Sequence, residues 1–470
     1  MIFERIYDED LAQASYLIGC QQTGEAIVVD PRREPGVYLE RAQAQNLTLV
    51  AVTETHIHAD YLSGSRELAQ ETGATLYLSN EGGEGWRYGF PHQELGRGET
   101  ITVGKLRLEA RHTPGHTPEH LAFLLTDGAA TPEPGYYLTG DFVFVGDVGR
   151  PDLLDEAGIG ADTREPMARQ LFESLRREFL NLPDYVQVWP GHGAGSACGK
   201  ALGAVPSTTV GYERLTAWWA PFVQNGDVEG FVAALLTGQP EAPSYFARMK
   251  RQNRDGPALL NLVDGLPEFR DTHKLGRTQL LVDTRARPVY AQDAIPGSLH
   301  LPLTKSLSTH ASYVLDPERE PRDLVLLAGS EVDARAVQTR LRLVGIDRVV
   351  GFIRSSEGLG GRPLPVVQPQ ALGWLDKPFL LDVRNRSEYE AGHLPGAVQR
   401  ASGQVLGHTS DLPRDRTIVT YCQSGARNTV VSSALRLAGF EVTELEGSFA
   451  AWERAGLPIE RTREPLEVPS

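Results

Sequence analysis

The feature that most constrains the fold is a repeat in the second half of the chain. Leu281-Val-Asp283-Thr-Arg285, with Tyr290 and Ile295-Pro296-Gly297, superposes without a gap on Leu380-Leu-Asp382-Val-Arg384, with Tyr389 and Leu394-Pro395-Gly396. Further on, Leu341-Arg-Leu-Val-Gly345 matches Leu435-Arg-Leu-Ala-Gly439, and the apolar run Leu324–Leu327 falls on Ile418–Tyr421. A repeat of about 100 residues that alternates apolar strands with amphipathic helices implies two copies of a small α/β domain with mostly parallel sheets. One position distinguishes the copies: Ala328 stands where the second has Cys422, so only the last copy can use a thiol there.

Ahead of the repeat, short apolar strands end in polar clusters. Ser15–Cys20 and Ala26–Asp30 read as a hairpin broken by Gln21-Gln-Thr-Gly24, Leu49–Thr53 runs into His56, and Ser63–Glu71 has helical spacing. Further strands are expected around Thr75–Leu78, Leu106–Ala110, Leu121–Leu125 and Tyr136–Leu138, and the Pro- and Gly-rich stretch Pro240–Pro257 closes this domain. Strands that repeatedly precede polar clusters gather a site at one end of a sheet. With 470 residues, the chain is divided at 1–258, 265–362 and 366–462.

The net charge of −15 argues against nonspecific nucleic-acid binding, which needs a basic face. Neither a signal-peptide pattern nor a long apolar run is present, so a cytoplasmic protein without membrane contact is expected. A homo-oligomer is expected as well. Three widely spaced cysteines, Cys20, Cys198 and Cys422, argue against a disulfide framework and for a reducing compartment.

Thr55-His56-Ile-His58-Ala-Asp60 places three potential ligands at alternating positions just after a strand. Three more clusters follow: His112-Thr-Pro-Gly-His116-Thr-Pro-Glu-His120, Leu138-Thr-Gly-Asp141 and Trp189-Pro-Gly-His192-Gly. A lone histidine at a strand end is usually a hydrogen-bonded structural residue. Four such clusters in one domain are what a multi-segment metal site requires, because burying these groups unpartnered would cost several kcal/mol.

On these motifs, with Gly149-Arg150-Pro-Asp152, roughly the first 255 residues resemble the metallo-β-lactamase superfamily, and within it the persulfide dioxygenases. The resemblance implies a four-layer αβ/βα sandwich with the metal at one edge. Hydrolases of the superfamily commonly carry His directly after the HxHxD run to support a second metal; here that residue is Tyr61. A single ion held by His56, His116 and Asp141 is the pattern of the dioxygenase branch, and a His/His/carboxylate set with open positions also suits Fe(II) on ligand-type grounds. Zinc, which takes the same ligand types, is the alternative. His58, Asp60, Tyr61 and His192 are then candidates to orient the ligands or the bound substrate. Arg150 is a candidate to hold an anionic part of the substrate, the alternative being an exposed structural salt bridge. By the resemblance the substrate is a low-molecular-weight thiol persulfide such as glutathione persulfide, the co-substrate is molecular oxygen, and the products are sulfite and free thiol. The stretch after His192, Gly-Ala-Gly-Ser-Ala-Cys198-Gly-Lys200, departs from the glutathione-using relatives. Cys198 could approach the site there and carry sulfur, or be a small buried residue; Cys20 reads as packing.

Thr417–Tyr421, Cys422-Gln423-Ser424-Gly425-Ala426-Arg427 and the following Asn-Thr-Val-Val read as strand, small-residue loop and helix. Backbone N–H groups of the loop would cradle sulfur on Cys422, with Arg427 and the helix N-terminus adding positive potential for a thiolate or a sulfur oxide. Residues 366–462 look like a single-domain rhodanese, by Leu381-Asp382-Val-Arg384, Glu388–Gly396, the Cys422 loop and Glu446–Trp452. Its six-residue loop has the length found in sulfurtransferases, Asp382 and Arg384 would brace it, and His393 would belong to a turn of the fold. The middle domain resembles the same fold with Ala328 at the nucleophile position and Glu331 in place of Gly425, and is expected to be a noncatalytic spacer or docking platform.

The whole reads as an iron-dependent persulfide dioxygenase fused to an inactive and an active rhodanese domain, with Cys422 forming or using thiosulfate in sulfide detoxification. The alternatives are a zinc thioester hydrolase of glyoxalase II type with an accessory sulfurtransferase, and a nonenzymatic sulfur-relay scaffold.

Overall fold

The computed structural model describes residues 1–152, 163–200, 202–260, 265–269 and 278–462. They fall into two compact units, Met1–Gln239 with Phe246–Leu260, and Pro240–Tyr245 with Asn261–Ser470.

The first unit holds two six-stranded sheets. In one, β1 (Ile2–Asp8), β2 (Gln13–Cys20), β3 (Glu25–Val29), β4 (Thr48–Thr53), β5 (Thr75–Ser79) and β6 (Gln93–Leu95) lie in sequence order, antiparallel as far as β3 and parallel beyond it. The other runs β12-β11-β10-β9-β8-β7, from β7 (Thr100–Val103) through β8 (Leu106–His112), β9 (Leu121–Asp127), β10 (Tyr136–Gly140) and β11 (Gln187–Pro190) to β12 (Thr208–Thr209). Alternation explains the sandwich: Leu106, Leu108 and Ala110 of β8 point inward and join Tyr16, Ile18, Ile27, Val29, Phe123 and Leu138 in one core between the sheets. The outer face of the first sheet, Leu17, Val28 and Val52, is covered by Tyr38 and Leu68 of the helices Pro35–Ala44 and Ser65–Thr72. Leu171, Phe172 and Leu175 of the helix Arg164–Glu178 pack on Leu124, Tyr137 and Val188 of the second sheet. These layers make the αβ/βα arrangement expected from the resemblance.

The second unit holds two parallel sheets. The first has the order β14-β13-β15-β16, with β13 (Gln279–Asp283), β14 (Leu299–His300), β15 (Asp323–Leu327) and β16 (Val349–Ile353). The second has β17-β21-β20-β18-β19, from β17 (Val366–Val367), β18 (Phe379–Asp382) and β19 (Val398–Gln399) to β20 (Ile418–Tyr421) and β21 (Val442–Leu445). Removing β17 leaves the same order in both, so the internal repeat is a repeat of topology as well as of sequence.

One boundary differs from the sequence reading. Pro240–Tyr245, placed there in the first domain, belongs to the second unit. Ser244 donates its N–H to Gly403 O at 3.0 Å, and Glu241 Oε1 accepts from Arg386 N–H at 2.9 Å and Gln399 Nε2 at 2.8 Å. Those backbone groups need partners, and proline-rich sequence alone does not say which side supplies them. The expected link between 258 and 265 lies partly outside the described residues. Among the described residues no helix is long and apolar enough to cross a membrane.

Candidate metal centre and thiol loop

Four strand ends bring the predicted ligands to one edge of the sandwich: His56 and His58 follow β4, His116 sits in the β8–β9 turn, Asp141 follows β10 and His192 follows β11. One ligand atom each from His56, His116 and Asp141 lies within 4.8 Å of the others, all three residues being buried. Asp141 Oδ2 is 3.5 Å from His116 Nε2 and 3.8 Å from His56 Nε2, and has no hydrogen-bond partner of its own.

The outer nitrogens are already committed. His116 Nδ1 donates to Arg150 O at 2.9 Å. Thr55 Oγ1 gives its proton to Asp30 Oδ2 and therefore accepts from His56 Nδ1, each at 2.9 Å. Both Nε2 lone pairs are thereby turned to the space facing Asp141 Oδ2. Burial holds His56 well below the ordinary histidine range, helped by the neighbouring imidazoles, and pushes His116 down to about 4 against the pull of Asp141. Burial opposes ionisation of Asp141, yet the charge and hydrogen bond of His192 hold its carboxyl well below the usual carboxylate range. Two neutral imidazoles and one carboxylate, with an orphaned buried oxygen between them, fit a divalent metal ion.

The remaining site candidates divide. His192 is gripped by two carboxylates, donating from Nδ1 to Asp141 Oδ1 at 2.8 Å and from Nε2 to Asp60 Oδ2 at 2.9 Å. Burial works against its proton, but Asp141 and Asp60 raise it well above the usual range. His58 turns away from the three ligands to Asp30 Oδ1, 3.2 Å from its Nε2. Tyr61 is fully buried with its hydroxyl donating to Asp30 O at 3.4 Å, so it braces the loop. Cys198 is brought in: its thiol joins Asp60 and His192 in a second group of potential ligands, again within 4.8 Å. Burial, then Asp141, pushes that thiol up, so it is neutral. Cys20 lies in the core between the sheets, as read.

Arg150 corrects one expectation, since its salt bridge is not exposed. The guanidinium is completely buried, forked onto Asp152 with both contacts at 2.7 Å and reaching Ala197 O at 3.2 Å, while the Arg150 carbonyl orients the His116 ring.

Two participants escaped the sequence reading, Asp30 and Lys250, and a third, His120, was noted in a cluster without a role. Asp30 holds Thr55 and His58 together from a left-handed backbone conformation, φ 52°, uncommon outside glycine; the signal was an acid ending an apolar strand. His120 accepts the Asp141 N–H at 3.1 Å, so it positions that ligand. Lys250, on the helix Phe246–Asp255, is buried with its ammonium unpartnered.

In the second unit Cys422 follows β20, and the helix Ala426–Leu437 opens directly from the loop. Gly425, φ 110°, donates its N–H to Cys422 Sγ at 3.1 Å. Arg384 is forked onto Asp382 and reaches Gln423 Oε1 at 3.2 Å, which is the bracing expected of both. Arg427 lies on the first helical turn, where its guanidinium makes a bidentate pair with Glu388, both contacts at 2.7 Å. His393 stacks on Tyr389 with centroids 3.6 Å apart, a turn residue as read. The middle repeat touches this loop: its Arg287 donates from Nε to Thr429 Oγ1 at 2.7 Å and lies so close that a Cβ on Gly425 would meet Nε at 3.2 Å.

The chain belongs to the metallo-β-lactamase superfamily, whose profile matches residues 8–192, and carries a rhodanese-like domain matched over residues 368–455. A solved metallo-beta-lactamase from Staphylococcus aureus subsp. aureus COL is similar at 38% identity, covering 75% of this chain and 99% of that one, with a TM-score of 0.68. The hydroxyacylglutathione hydrolase of Polaromonas sp. (strain JS666 / ATCC BAA-500) is 30% identical over 194 residues, 41% of this chain and 66% of that protein. The mitochondrial persulfide dioxygenase ETHE1 of Mus musculus is 25% identical over 194 residues, 41% of this chain and 68% of that protein.

Proposed function

We propose that this protein oxidises the terminal sulfur of a low-molecular-weight thiol persulfide with molecular oxygen, releasing sulfite and the thiol, and passes sulfane sulfur through Cys422 to form or use thiosulfate. The observation that carries this reading is Asp141 Oδ2, buried without a partner between two neutral imidazoles, in a chain that also places a thiol directly after a strand of a parallel sheet. Similarity to persulfide dioxygenases and the rhodanese-like match both support sulfur chemistry. Persulfide, oxygen and water balance against thiol, sulfite and two protons.

Fe(II) held by His56, His116 and Asp141 would supply the one-electron chemistry that oxygen requires. The protein's own part is positional. Arg150 O and Thr55 fix the imidazole tautomers, His192 and His120 aim Asp141, and burial of these groups holds them in place. At the second site, sulfite attacks the outer sulfur of a Cys422 persulfide. The sulfur–sulfur bond to Sγ breaks, thiosulfate leaves, and the thiolate returns to the Gly425 N–H. The reverse course, with Cys422 taking sulfur from thiosulfate, uses the same groups. The middle repeat is an inactive rhodanese-like domain in this reading, Ala328 replacing the nucleophile.

The second donor group, Asp60, His192 and Cys198, favours the other reading, a dinuclear zinc hydrolase acting on a thioester. Metal analysis of the purified protein together with oxygen uptake on adding glutathione persulfide separates the two. One iron per chain with uptake is expected. Full uptake by zinc-loaded, iron-free protein would sink the iron assignment, and thioester hydrolysis without uptake would establish the alternative.

A further inference from the structure

Lys250 is a buried charge that the reading above does not use. It is 2% exposed, and Nζ has no hydrogen-bond partner. Taking an ammonium out of water costs several kcal/mol, which a protein ordinarily offsets with a direct carboxylate contact. Neither nearby carboxylate makes a hydrogen bond to it: Asp152 is forked by Arg150, and Glu119 accepts the Ile57 N–H on Oε1 at 2.7 Å while its Oε2 has no partner. The helix that carries Lys250 is pinned to the metal loop by Asn253, whose Nδ2 donates to His58 O and Tyr61 O, both at 2.8 Å, while Oδ1 accepts from Ser63 N–H at 2.9 Å. From there the ammonium acts electrostatically on His116 and on Glu119, Cys198, Asp152 and Arg150, around both groups of potential ligands, with the Trp86 ring centroid 5.5 Å from Nζ.

We propose that Lys250 is the counter-charge for the substrate's ionised sulfur, a positioning residue that receives a small sulfur anion beside His56, His116 and Asp141. The inference rests on the sulfur-oxidation reading and specifies how that site would choose its substrate. A fixed cation in a water-poor site favours a persulfide anion or sulfite over a neutral thioester. Burial pushes the ammonium down to about 8, with Glu119 opposing, so at neutral pH it remains mostly charged.

Sulfite is the probe, added to full-length, iron-loaded protein and to Lys250→Met and Lys250→Arg, with metal content measured in each. Removing an unpaired buried charge should leave Lys250→Met at least as thermally stable as the parent and with the same iron. Its sulfite affinity should fall at least tenfold by calorimetry, the thermal shift caused by sulfite should vanish, and KM for glutathione persulfide should rise more than kcat falls. Lys250→Arg should recover part of the binding. Sulfite affinity in Lys250→Met equal to the parent's would overturn the assignment, as would a parent that sulfite does not stabilise. If sulfite binding depends on Lys250 while iron-loaded parent takes up no oxygen with persulfide, the oxidation reading fails and the anion site stands.

Discussion

Asp141 is the residue on which most of the first site converges: Oδ1 takes the His192 proton, Oδ2 faces His56 and His116, and its own N–H goes to His120. His116→Ala or Asp141→Ala should therefore lose iron and oxygen uptake together, while sulfur transfer from thiosulfate to cyanide survives. Cys422 makes the complementary test, because serine keeps the loop size and removes the thiolate. In Cys422→Ser oxygen uptake should continue, sulfite should accumulate from glutathione persulfide, and thiosulfate should fall to the uncatalysed level. As much thiosulfate as the parent makes would leave the two chemistries uncoupled and make Cys198 the next candidate carrier.

At the scale of elements, the metal edge depends on loops packed against one another without side chains between them. A Cβ on Gly149 would lie 1.9 Å from Asp141 O and 3.0 Å from His116 Cβ. Gly149→Ala should destabilise the protein by about 3 kcal/mol or more and lower its iron content, read by denaturant unfolding and metal analysis. In the second unit, the helix Ala426–Leu437 is steadied from the neighbouring repeat. Arg287 reaches Thr429 and, at 3.3 Å, the buried Glu444, which also accepts from Thr429 Oγ1 at 2.9 Å. Arg287→Met should reduce thiosulfate sulfurtransferase activity several-fold, whereas Ala328→Ser, at the vacant nucleophile position, should leave it near the parent's. Equal activity in Arg287→Met would leave the middle repeat with no part in sulfur transfer.

At the scale of the molecule, each unit carries a histidine held neutral. Burial pushes His116 in the first unit and His300 in the second down to about 4, and His300 also stacks on Tyr290 with centroids 4.0 Å apart. Both lie below the unfolded value of about 6.5, so between pH 6.5 and 4 the unfolded chain binds more protons. Stability is therefore complete above pH 6.5 and lost as pH falls toward 4, by up to about 3 kcal/mol per histidine. Metal-free protein should melt at lower temperature at pH 5 than at pH 7; an unchanged melting temperature would mean that these rings protonate freely in the folded state.

The repeat, the strand-end histidines and the Cys422 loop were legible along the chain, because topology follows from apolar periodicity and ligand type from side-chain chemistry. That His56, His116 and Asp141 form the set came from the family resemblance, and their ligand atoms lie within 4.8 Å of one another. Long-range geometry decided the rest. Sequence spacing holds no record of which distant backbone closes a hydrogen bond or which side chain is left without one. Only the packed structure shows Asp30 gathering Thr55 and His58, Pro240–Tyr245 joining the second unit, Arg150 buried on Asp152, Arg287 lying over Gly425 and Lys250 buried without a hydrogen-bond partner, since each depends on partners or burial brought by segments remote in the chain or by tertiary packing.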